Sequence, residues 1–102
     1  GSSAEELLRR SREYLKKVKE EQERKAKEFQ ELLKELSERS EELIRELEEK
    51  GAASEAELAR MKQQHMTAYL EAQLTAWEIE SKSKIALLEL QQNQLNLELR
   101  HI

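Results

Sequence analysis

The sequence contains no cysteine, no proline and no aspartate. Without thiols there is no disulfide framework, no thiolate nucleophile and no cysteine-based metal site. Without proline nothing interrupts a long helix. Without aspartate, the usual calcium loop and the metal-holding residues of phosphoryl transfer are missing. Glycine occurs only at Gly1 and Gly51, so there is no glycine-rich loop to cradle a phosphate. No apolar run approaches the ~20 residues of a membrane span, and no signal peptide is legible. The net charge of -4 is mixed in sign and leaves no basic footprint for nucleic acid. These absences predict a soluble chain with no native compartment, cytoplasmic on recombinant expression. They predict neither a membrane nor a nucleic-acid partner, no small-molecule substrate and no cofactor.

What the sequence does have is charge: 39% of its residues are charged and only 4% aromatic. That balance fits either disorder or long helices, and periodicity decides for helices. Residues 1–3 read as a tag remnant. Glu49-Lys50-Gly51-Ala52-Ala53-Ser54 reads as a helix stop, a short loop and a helix start. Gly51 suits a left-handed closing residue, and Ser54 with Glu57 forms a capping box, as Ser3 does with Glu6. The expectation is an outer helix over 4–50, a turn over 51–54 and an inner helix over 55–102. Each helix is about 70 Å long, and so short a loop forces them antiparallel. The first helix repeatedly sets Glu four residues before a base, as at Glu6/Arg10, Glu21/Lys25 and Glu35/Arg39, the favourable orientation for helix pairs.

The halves differ. Segment 4–50 holds 14 apolar and 28 charged residues, and segment 55–102 holds 22 apolar and 12 charged. The first helix carries one apolar line, running through Leu8, Leu15, Val18, Phe29, Leu33, Leu36, Leu43 and Leu47 at coiled-coil steps. The second carries two. One runs through Leu70, Leu74, Trp77, Ile85, Leu88, Leu95 and Leu99, and is the expected oligomer interface. The other runs through Leu58, Met61, Ala68, Ala72, Ala76, Ile79, Ala86, Leu90 and Leu97. A helix apolar on two opposed sides needs partners on both, and the first helix covers only one. The chain is expected to assemble with copies of itself.

Polar residues interrupt these lines at matching heights. Folded at the turn, Ser11 comes level with Gln92 and Asn93, Gln22 with Ser81 and Ser83, and Ser40 with His65 and Gln64. Buried hydrogen-bond networks between apolar layers are the expectation. An unpaired buried amide or hydroxyl costs about 1–3 kcal/mol and disfavours any assembly that separates the partners. Two polar seams divide the apolar lines of the second helix. One is Gln64, Glu71, Glu78, Glu89 and Asn96; the other is Gln73, Glu80, Lys84, Gln91 and Glu98. Either would be prohibitive on a dry symmetry axis and acceptable beside water. A ring of five or more subunits around a polar lumen follows, six first, with a compact trimer or tetramer as the alternative.

With two capped helices, one charged and outer, the other inner and carrying polar layers, the chain resembles de novo designed helical-hairpin homo-oligomers. That resemblance implies two concentric rings with the second helices innermost. The fold class is therefore all-α, an antiparallel two-helix hairpin assembling into a symmetric coiled-coil-like bundle. A shorter resemblance covers Gln73-Leu74-Thr75-Ala76-Trp77-Glu78-Ile79, which is similar to part of the first heptad repeat of the HIV transmembrane fusion glycoprotein. It implies a partner-binding coiled coil or a mimic of that protein. No catalytic constellation is legible, and an enzyme is not expected. His65 and His101 lie far apart in sequence with no carboxylate or thiol at ligand spacing, and His65 reads as a hydrogen-bonding core residue.

Overall fold

The computed structural model describes residues 2–102, with side chains from residue 3. It contains two helices, α1 over Ser2–Glu49 and α2 over Glu55–Arg100, which form a hairpin. Among the described residues there is no strand. α1 already includes Ser3, so Ser3 lies inside the helix and does not cap it. Gly1, part of the expected tag remnant, lies outside the described residues.

The turn shows why the first helix stops. Gly51 has φ +61°, the left-handed region that only glycine enters without strain. Its amide donates to the Glu48 carbonyl at 3.2 Å, and the Ala52 amide donates back to Leu47 at 3.0 Å. These two bonds are the Schellman closure, and they satisfy carbonyls that the helix end would otherwise orphan. The new helix starts three residues later. Ser54 Oγ accepts from the Glu57 amide at 3.1 Å, and the Ser54 carbonyl accepts from Leu58 at 2.9 Å, as an N-cap requires.

By contacts the chain divides into two compact units, Gly1–Ala26 with Glu78–Ile102, and Lys27–Trp77. In the first, the half-buried Leu8, Ser11, Leu15, Val18 and Gln22 of α1 share the interior with Ser83, Leu87, Leu90, Gln94 and Leu97 of α2. In the second, Phe29, Leu33, Ser37, Ser40, Ile44 and Leu47 share it with Leu58, Met61, His65, Ala72 and Ala76. On α1 the packed line departs from the sequence expectation at two positions. Ser37 and Ile44 face inward, whereas Leu36 and Leu43 are 52% and 61% exposed. Among described residues only Ile44, Leu58 and Ala76 form a buried apolar core, and no large side chain is fully enclosed. Two helices have too little facing surface to close a core around themselves.

Exposed ion pairs run along α1: Glu6 with Arg9 at 2.5 Å and Arg10 at 3.0 Å, Arg9 with Glu13 at 2.6 Å, and Glu21 with Arg24 at 2.6 Å. Hydrogen bonding from Arg9 holds the Glu6 carboxyl below the usual carboxylate range, and Arg24 does the same for Glu21. Both carboxylates favour the folded helix above their unfolded titration, and that preference is lost as the pH falls through the lowered value.

Two substitutions test the turn. Gly51→Ala meets no neighbour but places a Cβ in the left-handed region, and should cost about 1–2 kcal/mol. Ser54→Ala removes the cap and should cost about 1 kcal/mol. Thermal unfolding followed by circular dichroism reads both.

Candidate functional site

The polar layers come first, because they fix how the helices face each other. In the unit containing both termini, Ser11 Oγ donates to Gln94 Oε1 and Arg12 pairs with Glu98. A little further along, Gln22 Nε2 donates to the Ser83 carbonyl at 3.0 Å. Ser81 is half-buried beside that layer. The partner of Ser11 is thus Gln94, and Gln92 and Asn93 are both exposed. The reason is geometric: the inward line of α2 keeps Leu90 and Leu97 of the expected line but takes in Leu87 where Ala86 was expected, and Gln94 lies one residue beyond Asn93. The Gln94 Nε2 is buried with no hydrogen-bond partner.

In the unit containing the turn, His65 Nδ1 lies 3.0 Å from Ser40 Oγ, and its Nε2 lies 3.4 Å from Glu41 Oε1. The Nδ1 contact with the Ser40 hydroxyl is the hydrogen bond of the pair, and Glu41 stands beside the other ring nitrogen. A serine, a histidine and a carboxylate thus stand in a row, a juxtaposition that the spacing in the sequence did not reveal. For acyl transfer the row lacks an oxyanion site, because the backbone amides around Ser40 are committed to the helix. Gln73 Nε2 donates to Tyr69 Oη at 3.2 Å and to Gln30 Oε1 at 3.4 Å, and Lys62 pairs with Glu48 at 3.7 Å. Among described residues no group of three or more His, Cys, Asp or Glu could hold a metal ion.

These contacts separate the two seams of α2. Gln73, Glu80 and Glu98 are half-buried, and Gln73 and Glu98 bond to α1; Lys84 and Gln91 are exposed beside them. Gln64, Glu71, Glu78, Glu89 and Asn96 are all exposed. A shallow groove along this side of α2 is lined by Arg60, Gln63, Gln64, Thr67, Ala68 and Glu71.

The apolar surface left uncovered is the main feature of the chain. Leu70, Leu74 and Trp77, then Ile85, Leu88, Leu95 and Leu99, are 55–67% exposed. At about 100° per residue, this line sits roughly 150° round α2 from the side that faces α1. The exposed seam sits roughly 125° round in the other direction, and the narrower line of Ala68, Ile79 and Ala86 lies between that seam and α1. α1 adds a flank of its own, with Leu7, Tyr14, Leu32, Leu36 and Leu43 at least half exposed. So much unpaired apolar surface in line is unusual on a soluble monomer.

No family model matches the sequence, and no curated protein is similar to it. Solved structures are. A de novo designed 16-helix transmembrane nanopore determined by cryo-EM is 77% identical, with a TM-score of 0.91 over 97% of this chain. A second de novo designed transmembrane nanopore is 80% identical, with a TM-score of 0.95 over 98%. The chain fits a de novo designed helical-hairpin oligomer. It spans 32% and 49% of the lengths of those two chains. The neighbours are designed pores and not enzymes.

They also correct part of the sequence reading. A soluble, cytoplasmic chain with no membrane partner was expected from the charge of the first helix and the lack of an apolar run. Most of the same residues, on the same backbone, occur in transmembrane nanopores, so the charge count of one hairpin does not decide its setting. Among the described residues no helix is long and apolar enough to cross a membrane.

If the uncovered line of α2 is an interface, Trp77→Glu should break association while leaving the helices intact. Burying a carboxylate there without a partner costs about 3 kcal/mol or more, so the dissociation constant should weaken at least roughly a hundredfold. Sedimentation reads the association, and circular dichroism reads the helices.

Proposed function

We propose that this chain is a subunit of a designed, self-assembling helical pore, with α2 in the inner ring and α1 in the outer. The observation that carries this reading is the pair of unlike flanks on α2. One flank is the bulky line from Leu70 to Leu99, and the other is the narrower line of Ala68, Ile79 and Ala86. Unlike flanks pair head to tail, and a head-to-tail contact that closes makes a ring. α1 lies on the outward side of such a ring, and the exposed polar seam lies on the side of α2 turned away from α1. Half-exposed Leu or Ile side chains gain about 1 kcal/mol each when covered. Seven in line, with the flank of α1, outweigh much of the cost of association.

For the number of subunits we propose eight. Sixteen helices, as in the first neighbour, would correspond to eight two-helix hairpins, more than the six first expected from the charged seams; the chains of that neighbour are about three times as long as this one. The other neighbour, with chains about twice this length, has room for two such hairpins in each chain. Eight inner helices leave a central opening that three or four do not, and a charged seam facing water needs no neutralising partner.

Native mass spectrometry at micromolar concentration tests this. A dominant species of eight chains is expected. A trimer or tetramer would keep self-assembly but remove the lumen, and a monomer would contradict the reading altogether.

A further inference from the structure

We propose that the seam of Gln64, Glu71, Glu78, Glu89 and Asn96 faces the lumen and makes the pore favour positively charged solutes over negatively charged ones. This rests on the ring proposed above and asks which of the two polar seams of α2 looks into it.

Three observations select this seam. The first is commitment: Gln73 and Glu98 of the other seam are bonded to Gln30 and Arg12 of α1, and Glu80 is half-buried. The second is angle: the bonded seam sits roughly 75° from the α1-facing side, and the exposed seam sits roughly 125° from it on the other side. With α1 outward, the exposed seam is the one of the two polar seams that lies nearer the inward side. The third is continuity. Arg60, Gln64, Thr67, Glu71, Thr75, Glu78, Lys82, Glu89, Asn93, Asn96 and Arg100 follow one another at steps of three and four, with one gap at Ala86, and every one of them is exposed. No large apolar side chain interrupts the line, as a face packed on a neighbour would require.

The charge of this line is unbalanced along its middle. Glu71, Glu78 and Glu89 stand against Lys82 alone, while Arg60 and Arg100 sit near its two ends. None of the three carboxylates is in an ion pair within the chain, whereas Glu98 of the other seam is. Repeated by symmetry, each becomes a ring of carboxylates around water. Rings of like charge in a confined, low-dielectric wall raise the local concentration of counter-ions and repel co-ions.

The absence of cysteine allows a direct test. Thr75→Cys lies between Glu71 and Glu78, Asn96→Cys lies beyond Glu89, and Lys84→Cys lies in the other seam. Native mass spectrometry first establishes that each variant assembles; should one of the first two fail, the other carries the measurement. Each thiol is then modified with two methanethiosulfonates of similar size, one bearing a trimethylammonium and one a sulfonate. Thr75→Cys and Asn96→Cys should react about tenfold faster with the cationic reagent than with the anionic one, after correction for the same ratio on free cysteine. That bias should shrink in 1 M salt, where the screening length falls to about 3 Å. It should also vanish when Glu71, Glu78 and Glu89 are changed together to Gln. Equal rates in an intact ring, or a bias found at Lys84→Cys alone, would overturn the assignment of the seam and leave the pore standing. A chain that does not assemble would overturn both.

Discussion

The constraint from which the rest follows is a mismatch of surfaces. α2 carries apolar side chains on more sides than α1 can cover, and a two-helix chain has no other element to offer. An exposed line from Leu70 to Leu99 would be a solubility hazard in a finished monomer. In a subunit it is the surface that completes the core. The small buried set of Ile44, Leu58 and Ala76 belongs to the same fact, because the hairpin alone encloses little. The many charges of α1 fit the outer position that it takes in the proposed ring.

Within the hairpin, hydrophobic contact alone does not hold the two helices in one alignment. Leucines tolerate sliding, and a shift by a turn presents similar surface. The pairings of Ser11 with Gln94, Gln22 with the Ser83 carbonyl, and Ser40 with His65 do not tolerate it, because separated partners stay buried and unpaired. The Schellman turn at Gly51 and the cap at Ser54 fix the same alignment from the other direction, by setting where each helix ends. The buried and partnerless Gln94 Nε2 marks a place, among the described residues, where the polar layers remain incomplete inside a single chain.

Much of the fold is legible from the residues, for physical reasons. A single interior glycine with no proline leaves one place to turn, and the Ser54 cap lies beside it. The presence of a second apolar face on α2 is likewise a matter of spacing. What spacing does not carry is which of two adjacent residues points inward after many turns. The inward line differs by one residue at isolated positions on each helix, so Ile44 replaces Leu43 on α1 and Gln94 replaces Asn93 on α2. Adjacent candidates of similar chemistry, as in Leu43-Ile44 or Gln92-Asn93-Gln94, hide such a shift. Glu41 was missed for a different reason: it looks like one more member of the charged surface until the fold brings it to His65. The setting was also misjudged, because charge along one helix describes that helix and not the assembly in which relatives place it.

Trp77 offers the most direct test of the central claim that a second copy covers the bare face of α2. It is the chain's single tryptophan and is 67% exposed in the isolated hairpin. In the assembled state its emission should be shifted to the blue and shielded from acrylamide, and dilution through dissociation should move the emission to the red and open it to quenching. An emission that stays red and freely quenched at every concentration would contradict the account.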